Sequence, residues 1–129
     1  MSVVLDASAT LDLLFGERGS DVVEASSRHS FLSAVNLDEV LHKGLSRKGL
    51  SFSTTLGFLR QLEIAIQPFD AAQAEIAAAH HARLHRLGIA FGDRACMALA
   101  MATGRSVLTA DQDWSSPDLG LDLTIIQIR

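Results

Sequence analysis

The chain carries a single cysteine, Cys96, which excludes an intrachain disulfide and any cysteine zinc cluster. Cys96 reads instead as a small buried hydrophobe. The chain also lacks an excess of positive charge: its formal net charge is -4 and its pI is near 5.6. That argues against broad attraction to nucleic acid through overall charge, while a local basic patch beside an acidic site stays open. No basic stretch precedes an apolar run at the start of the sequence, and no apolar run is long enough to span a bilayer. The expectation is a chain without signal peptide or membrane segment, located in the cytoplasm. No repeat, low-complexity tract or linker interrupts it, and no Ser-His-Asp or Cys-His spacing suggests a nucleophilic triad.

What is present suits one domain over residues 1–129. Hydrophobic residues make up 48% and charged residues 20%, the balance of a globular protein. Strands are expected at 3–6, Phe31–Ser33, 64–66, Ser106–Thr109 and 123–128. Helices are expected at Ala7–Phe15, 21–27, Ala34–Lys48, 53–62, 71–87 and 93–103. Glycines at 16, 49, 88 and 104 end four of them, and Ser53 and Asp70 are candidate caps. Pro68 must stop the third strand. Strands separated by one or two helices predict a three-layer α/β/α fold around a mostly parallel sheet.

The stretch 89–114 organises the chemistry. Asp93 opens a helix, a short strand follows it, and Asp111 stands just past that strand. Val3-Val4-Leu5 followed by Asp6 repeats the second half of this design. Ligands gather outside the carboxyl ends of parallel strands, so these acids can face one cleft. Each also has a plain structural explanation. Asp6 and Asp93 suit helix N-termini whatever the function. Asp111 suits a turn. Glu39 falls off the apolar stripe of its helix, which favours an exposed surface position. Jointly, acids at one edge suggest a hard cation, because carboxylate oxygens are what Mg²⁺ and Mn²⁺ prefer. Without a cation, like charges raise one another's pKa.

Four segments carry a family resemblance: Val-Val-Leu-Asp-Ala-Ser at 3–8, Ser-Ala-Val-Asn-Leu-Asp-Glu-Val at 33–40, Gly-Asp-Arg-Ala-Cys-Met-Ala-Leu-Ala at 92–100 and Leu-Thr-Ala-Asp-Gln-Asp-Trp at 108–114. In that order and at those separations, the chain resembles a PIN-domain ribonuclease of the VapC type from bacterial toxin–antitoxin pairs. The resemblance implies that Asp6, Glu39, Asp93 and Asp111 are the catalytic, metal-binding acids. It implies supporting hydroxyls at Ser8 and Thr109, and a looser place for Asp113. The cofactor implied is Mg²⁺, with Mn²⁺ as a substitute, and the reaction is metal-assisted hydrolysis of RNA phosphodiesters.

Basic candidates for holding RNA phosphates are Arg94, beside Asp93, and His42, Lys43, Arg47 and Lys48 on the helix of Glu39. A solvated helix face is the competing reading for most of them. His80, His81 and His85 lie near one another, and His81 with His85 has the i, i+4 spacing of a transition-metal pair, but no third ligand is evident. Trp114 is expected to cover the core rather than stack on a base.

The implied function is an endoribonuclease toxin. The alternative is a catalytically silent PIN-like binding or regulatory module, which the presence of all four acids disfavours. A phosphohydrolase of the haloacid dehalogenase kind would expect a second Asp where Ser8 stands. The resemblance also implies a small antitoxin whose C-terminal segment reaches the acidic cleft, with Leu13, Leu14, Phe15, Val22 and Val23 as a groove for it. It further implies a homodimer, with Val22, Val23, Phe58 and Leu59 as exposed candidates.

Overall fold

Val3, Val4 and Leu5 are apolar in succession, and the strand they form is buried on both faces. In the computed structural model, which describes residues 2–115 and 119–129, this strand β1 (Val3–Leu5) is central. The other strands are β2 (Phe31–Ser33), β3 (Ala65–Gln67), β4 (Ser106–Thr109) and β5 (Ile125–Gln127). All pairings are parallel and the order is β3-β2-β1-β4-β5. The helices are α1 (Ala7–Phe15), α2 (Ser20–Ser26), α3 (Ala34–Lys48), α4 (Phe52–Gln61), α5 (Ala71–Ala79), α6 (His81–Arg86) and α7 (Phe91–Thr103).

Side chains alternate across a strand, so neighbouring residues feed two different cores. Val3, Leu5 and Leu108 pack with Leu11, Val23, Val40 and Leu59. Val4 and Val107 pack with Leu84, Cys96, Met97, Leu99 and Trp114. Helices therefore cover both faces, which is the expected α/β/α layering. Cys96 and Trp114 are both buried, as their sequence reading required.

Several boundaries shift. The helix expected at 71–87 is two helices, broken at His80, whose φ is -102° and ψ 4°. No glycine or proline marks that break. Between buried Ala77 and buried Leu84 the stripe carries His80 and His81, so apolar packing does not hold its middle. The second segment then sinks Leu84 into the core beside Ile89 and Trp114. The cap of α4 is Ser51, whose Oγ accepts from Thr54 N, so Ser53 lies inside the first turn. The third and last strands are Ala65–Gln67 and Ile125–Gln127, and α7 begins at Phe91, ahead of Asp93.

Candidate active site

The register pairs Leu5 with Leu108, and Asp6 N donates to Leu108 O at 3.2 Å. Asp6 and Thr109 thus stand side by side at the carboxyl edge of the sheet. The chain runs outward from β1 through β2 to β3 and returns to β4 on the other side of β1. The β1/β4 edge is therefore the switch point of the sheet, where α/β folds open a crevice.

Asp6 caps α1, as its plain reading held: Oδ1 accepts from Ala9 N at 2.8 Å. It does more than cap. Ser8 Oγ reaches both its oxygens, at 2.8 and 2.9 Å, and Thr109 Oγ1 donates to Oδ2. Ser8 Oγ accepts from Ala110 N, and Thr109 Oγ1 accepts from Asp111 N, each at 2.9 Å. The carboxylate is only 2% exposed, and burial is the main cause that pushes its pKa up to about 6. Hydrogen bonds from Thr109, Ala9 and Ser8 oppose the rise, while the charge of Asp93 adds to it.

Asp93 is not a cap. Ala90 holds that position without a side-chain bond, and Asp93 sits in the first turn of α7, half-buried. Its pKa also rises to about 6, through burial first and then through the charges of Asp111 and Glu39. Trp114 and Lys43 oppose the rise. The buried Trp114 Nε1 closes no hydrogen bond of good geometry, so its hold on Asp93 is a loose one.

Glu39 departs from the wheel. It is half-buried rather than exposed, because α3 packs against α7 as well as against the sheet side. That second contact is polar: Asn36 Nδ2 donates to Gly92 O at 2.9 Å. A Cβ placed on Gly92 would stand 3.6 Å from Glu39 Oε1. Glu39 is therefore next to the turn that bears Asp93, and its other oxygen meets Lys43 Nζ at 2.5 Å. Asp111 is half-buried just past β4, and it also fills the turn role, since its Oδ1 accepts from Asp113 N at 2.9 Å. Asp113 is exposed and is not among the charges that act on Asp93.

The basic candidates divide. Lys43 and Arg47 line a polar cavity of about 140 Å³ that also borders Ser8, Glu39 and Arg129. Arg94 does not face the acids. Its Nη1 donates to Ile89 O, and it lines a mostly apolar cavity of about 410 Å³ with Phe69, Phe91 and His81. The rings of His81 and His85 stack at 5.3 Å. Among the described residues, no three His, Cys, Asp or Glu side chains stand close enough to hold an ion as placed.

Two residues of interest were not singled out from the sequence. Asn36 is 1% exposed, with Oδ1 left without a partner, and it lies inside one of the quoted segments. Asp12 is 3% exposed on α1 and faces Arg129 Nε at 3.4 Å, a contact too open to satisfy its Oδ2 as a hydrogen bond. Its only signal was a lone acid between Leu11 and Leu13.

Among proteins of curated function, none matches the chain in sequence. Solved structures match it closely in shape. A toxin–antitoxin complex from Klebsiella pneumoniae superposes with a TM-score of 0.73 at 16% identity, covering 98% of each chain. DNA-bound VapBC from Salmonella typhimurium gives 0.72 at 15% identity, over 100% of this chain and 99% of that one. VapC20 from Mycobacterium tuberculosis, described as a sarcin-ricin loop cleaving toxin, gives 0.71 at 17% identity, over 88% and 93%. The family model of the PIN domain matches residues 3–119, nearly the whole length, and the chain belongs to the PIN domain family.

Proposed function

We propose that this single-domain chain is a Mg²⁺-dependent endoribonuclease, acting as the toxin of a type II toxin–antitoxin pair. The observation that carries the reading is one shared field at the switch point. Asp93 feels Asp111 and Glu39, and Asp6 feels Asp93. Similarity to structures of toxin–antitoxin complexes supports the toxin role. Against the silent alternative stands the presence of a carboxylate at all four positions, although as placed they do not close around an ion.

The donor set fits a hard divalent cation. All four groups are carboxylates, and two are raised to about 6, chiefly by burial, with the charge of Asp93 adding at Asp6 and those of Asp111 and Glu39 adding at Asp93. Asp6, Asp93, Glu39 and Asp111 would hold the ion, with Mn²⁺ able to replace Mg²⁺. When bound, such an ion supplies an acidified water and charge neutralisation at phosphorus. The remaining work belongs to the chain. Ser8 and Thr109 donate to Asp6 and hold its carboxylate in one orientation at the edge of the sheet. Lys43 and Arg47 line the cavity beside Ser8 and Glu39 and would offer their charges to RNA phosphates there.

The partner is a small antitoxin, and the site of action is cytoplasmic RNA. The groove expected on the first helices is narrower than the sequence suggested. Leu13 and Val23 belong to the core, Leu14 and Phe15 are half-buried, and Val22 is exposed. For the homodimer, Val22 and Phe58 remain exposed, while Val23 and Leu59 do not.

The test is cleavage of single-stranded RNA by the purified chain. Mg²⁺ or Mn²⁺ should support it, and EDTA, Asp6→Asn and Asp93→Asn should each abolish it. Cleavage at the wild-type rate by either variant removes that acid from the mechanism.

A further inference from the structure

Glu39, Lys43 and Arg47 fall at i, i+4 and i+8 on α3, so they form one stripe along the helix. The first two are joined by the ion pair at 2.5 Å. That pair keeps one carboxylate of the acidic group occupied, and the acids as placed do not close around an ion. Lys43 also acts on Asp93, favouring its charged form. It is the cation that the acidic centre carries within itself.

The same lysine lines the cavity of about 140 Å³ that opens on Ser8 and Glu39. In that cavity Asp12, Glu17 and Glu39 stand against Lys43, Arg47 and Arg129. Arg129 faces Asp12, and Lys43 faces Glu39. As placed, the charges balance and an anion gains little. If Glu39 is neutralised from its other side, the balance passes to the cations. The side chains of Lys43 and Glu39 are each 32% exposed, so water reaches the pair and screens part of its attraction. Lysine suits an exchange of partners, being a point charge on a flexible stem.

Resting on the metal-dependent nuclease reading, we propose that Lys43 is a displaceable counter-ion. It occupies Glu39 until a divalent cation takes that carboxylate. Lys43, with Arg47 one turn further, then binds a phosphate of the RNA backbone in the cavity beside Ser8. Metal and RNA must in consequence strengthen each other's binding, since linkage between two sites is reciprocal.

The test uses the intact chain and two binding measurements. Calorimetry with Mn²⁺ compares wild type with Lys43→Met. Fluorescence anisotropy of a labelled single-stranded RNA oligonucleotide compares Ca²⁺ with EDTA. Lys43→Met should bind Mn²⁺ roughly two- to fivefold more tightly, the effect of removing one exposed competing charge. It should bind RNA more weakly in Ca²⁺ but no more weakly in EDTA. Arg47→Ala should lose RNA affinity in Ca²⁺ and leave Mn²⁺ affinity unchanged. A merely structural lysine would weaken both ligands when removed. The proposal is overturned if Lys43→Met binds Mn²⁺ no more tightly than wild type, or binds RNA in Ca²⁺ equally well. A wild type that takes no Mn²⁺ and cleaves no RNA removes the nuclease reading as well. A wild type that does both, beside an unchanged Lys43→Met, removes this proposal alone.

Discussion

Thr109 Oγ1 donates to Asp6 Oδ2 across the join between β1 and β4, and the same oxygen accepts from Asp111 N. One hydroxyl therefore ties two of the candidate acids to the centre of the sheet. Thr109 is fully buried, so the bond has no water to replace it. Thr109→Val keeps the shape and removes the donor. Leaving a buried carboxylate short of a donor costs about 1–3 kcal/mol. The thermal midpoint should fall, and Mn²⁺ affinity at neutral pH should weaken, because Asp6 then holds its proton more tightly. Unchanged stability and affinity would show that Asp6 is oriented by Ser8 and Ala9 alone.

Asp93 gives a stability test with a defined sign. Its folded pKa of about 6 lies above the ordinary 3.8, so between those values the folded state holds more proton than the unfolded state. Stability without metal should fall as pH rises from about 4 to about 6, then level off. Asp93→Asn lacks this loss. In EDTA at pH 7.5 it should be more stable than wild type, on the order of 1 kcal/mol given the partial exposure of the group. The gain should vanish below about pH 4. A variant less stable than wild type at pH 7.5 would mean the carboxylate is held by attraction, not strained by burial and repulsion.

Metal affinity should carry the opposite slope. A cation must displace the protons that Asp6 and Asp93 hold below about pH 6. Burial is the main cause in both groups, and the charge of Asp93 adds to it at Asp6. Mn²⁺ binding measured by calorimetry should be level above pH 7. Below 6 it should weaken by about tenfold per pH unit where one proton is displaced, and about a hundredfold where both are. A flat profile from pH 5 to 8 would place the ion elsewhere.

Association is tested at Phe58, which is 38% exposed on α4. Light scattering of the purified chain at micromolar concentration should report a dimer. Phe58→Asp should give a monomer with little change in unfolding midpoint, because the side chain adds little to the monomer's core. A wild-type monomer would contradict the homodimer.

The parts legible in the sequence were those written in apolar runs and in residues at chain turns. The buried runs 3–5 and 106–109 gave neighbouring strands, and their terminal acids followed. Glu39 was read on periodicity as a surface residue because α3 uses two faces. One is apolar, through Val40, while the other is polar, through Asn36 against Gly92 O, and a hydrophobic stripe does not register it. Arg94 lines a cavity apart from the acids for a related reason. Adjacent residues on a helix point about 100° apart, so being next to Asp93 in sequence placed Arg94 over a different cavity. The break at His80 leaves no glycine or proline to read, and Ser51 and Ser53 offer two caps in near-identical settings.

A metal-dependent nuclease needs the four acids to take one cation between them. Anomalous diffraction from a crystal of the chain soaked in Mn²⁺ shows this directly. The prediction is a peak bounded by Asp6 and Asp93, with Glu39 turned from Lys43 towards the ion. A peak at the His81–His85 pair, or no peak at the switch point at saturating Mn²⁺, would contradict it.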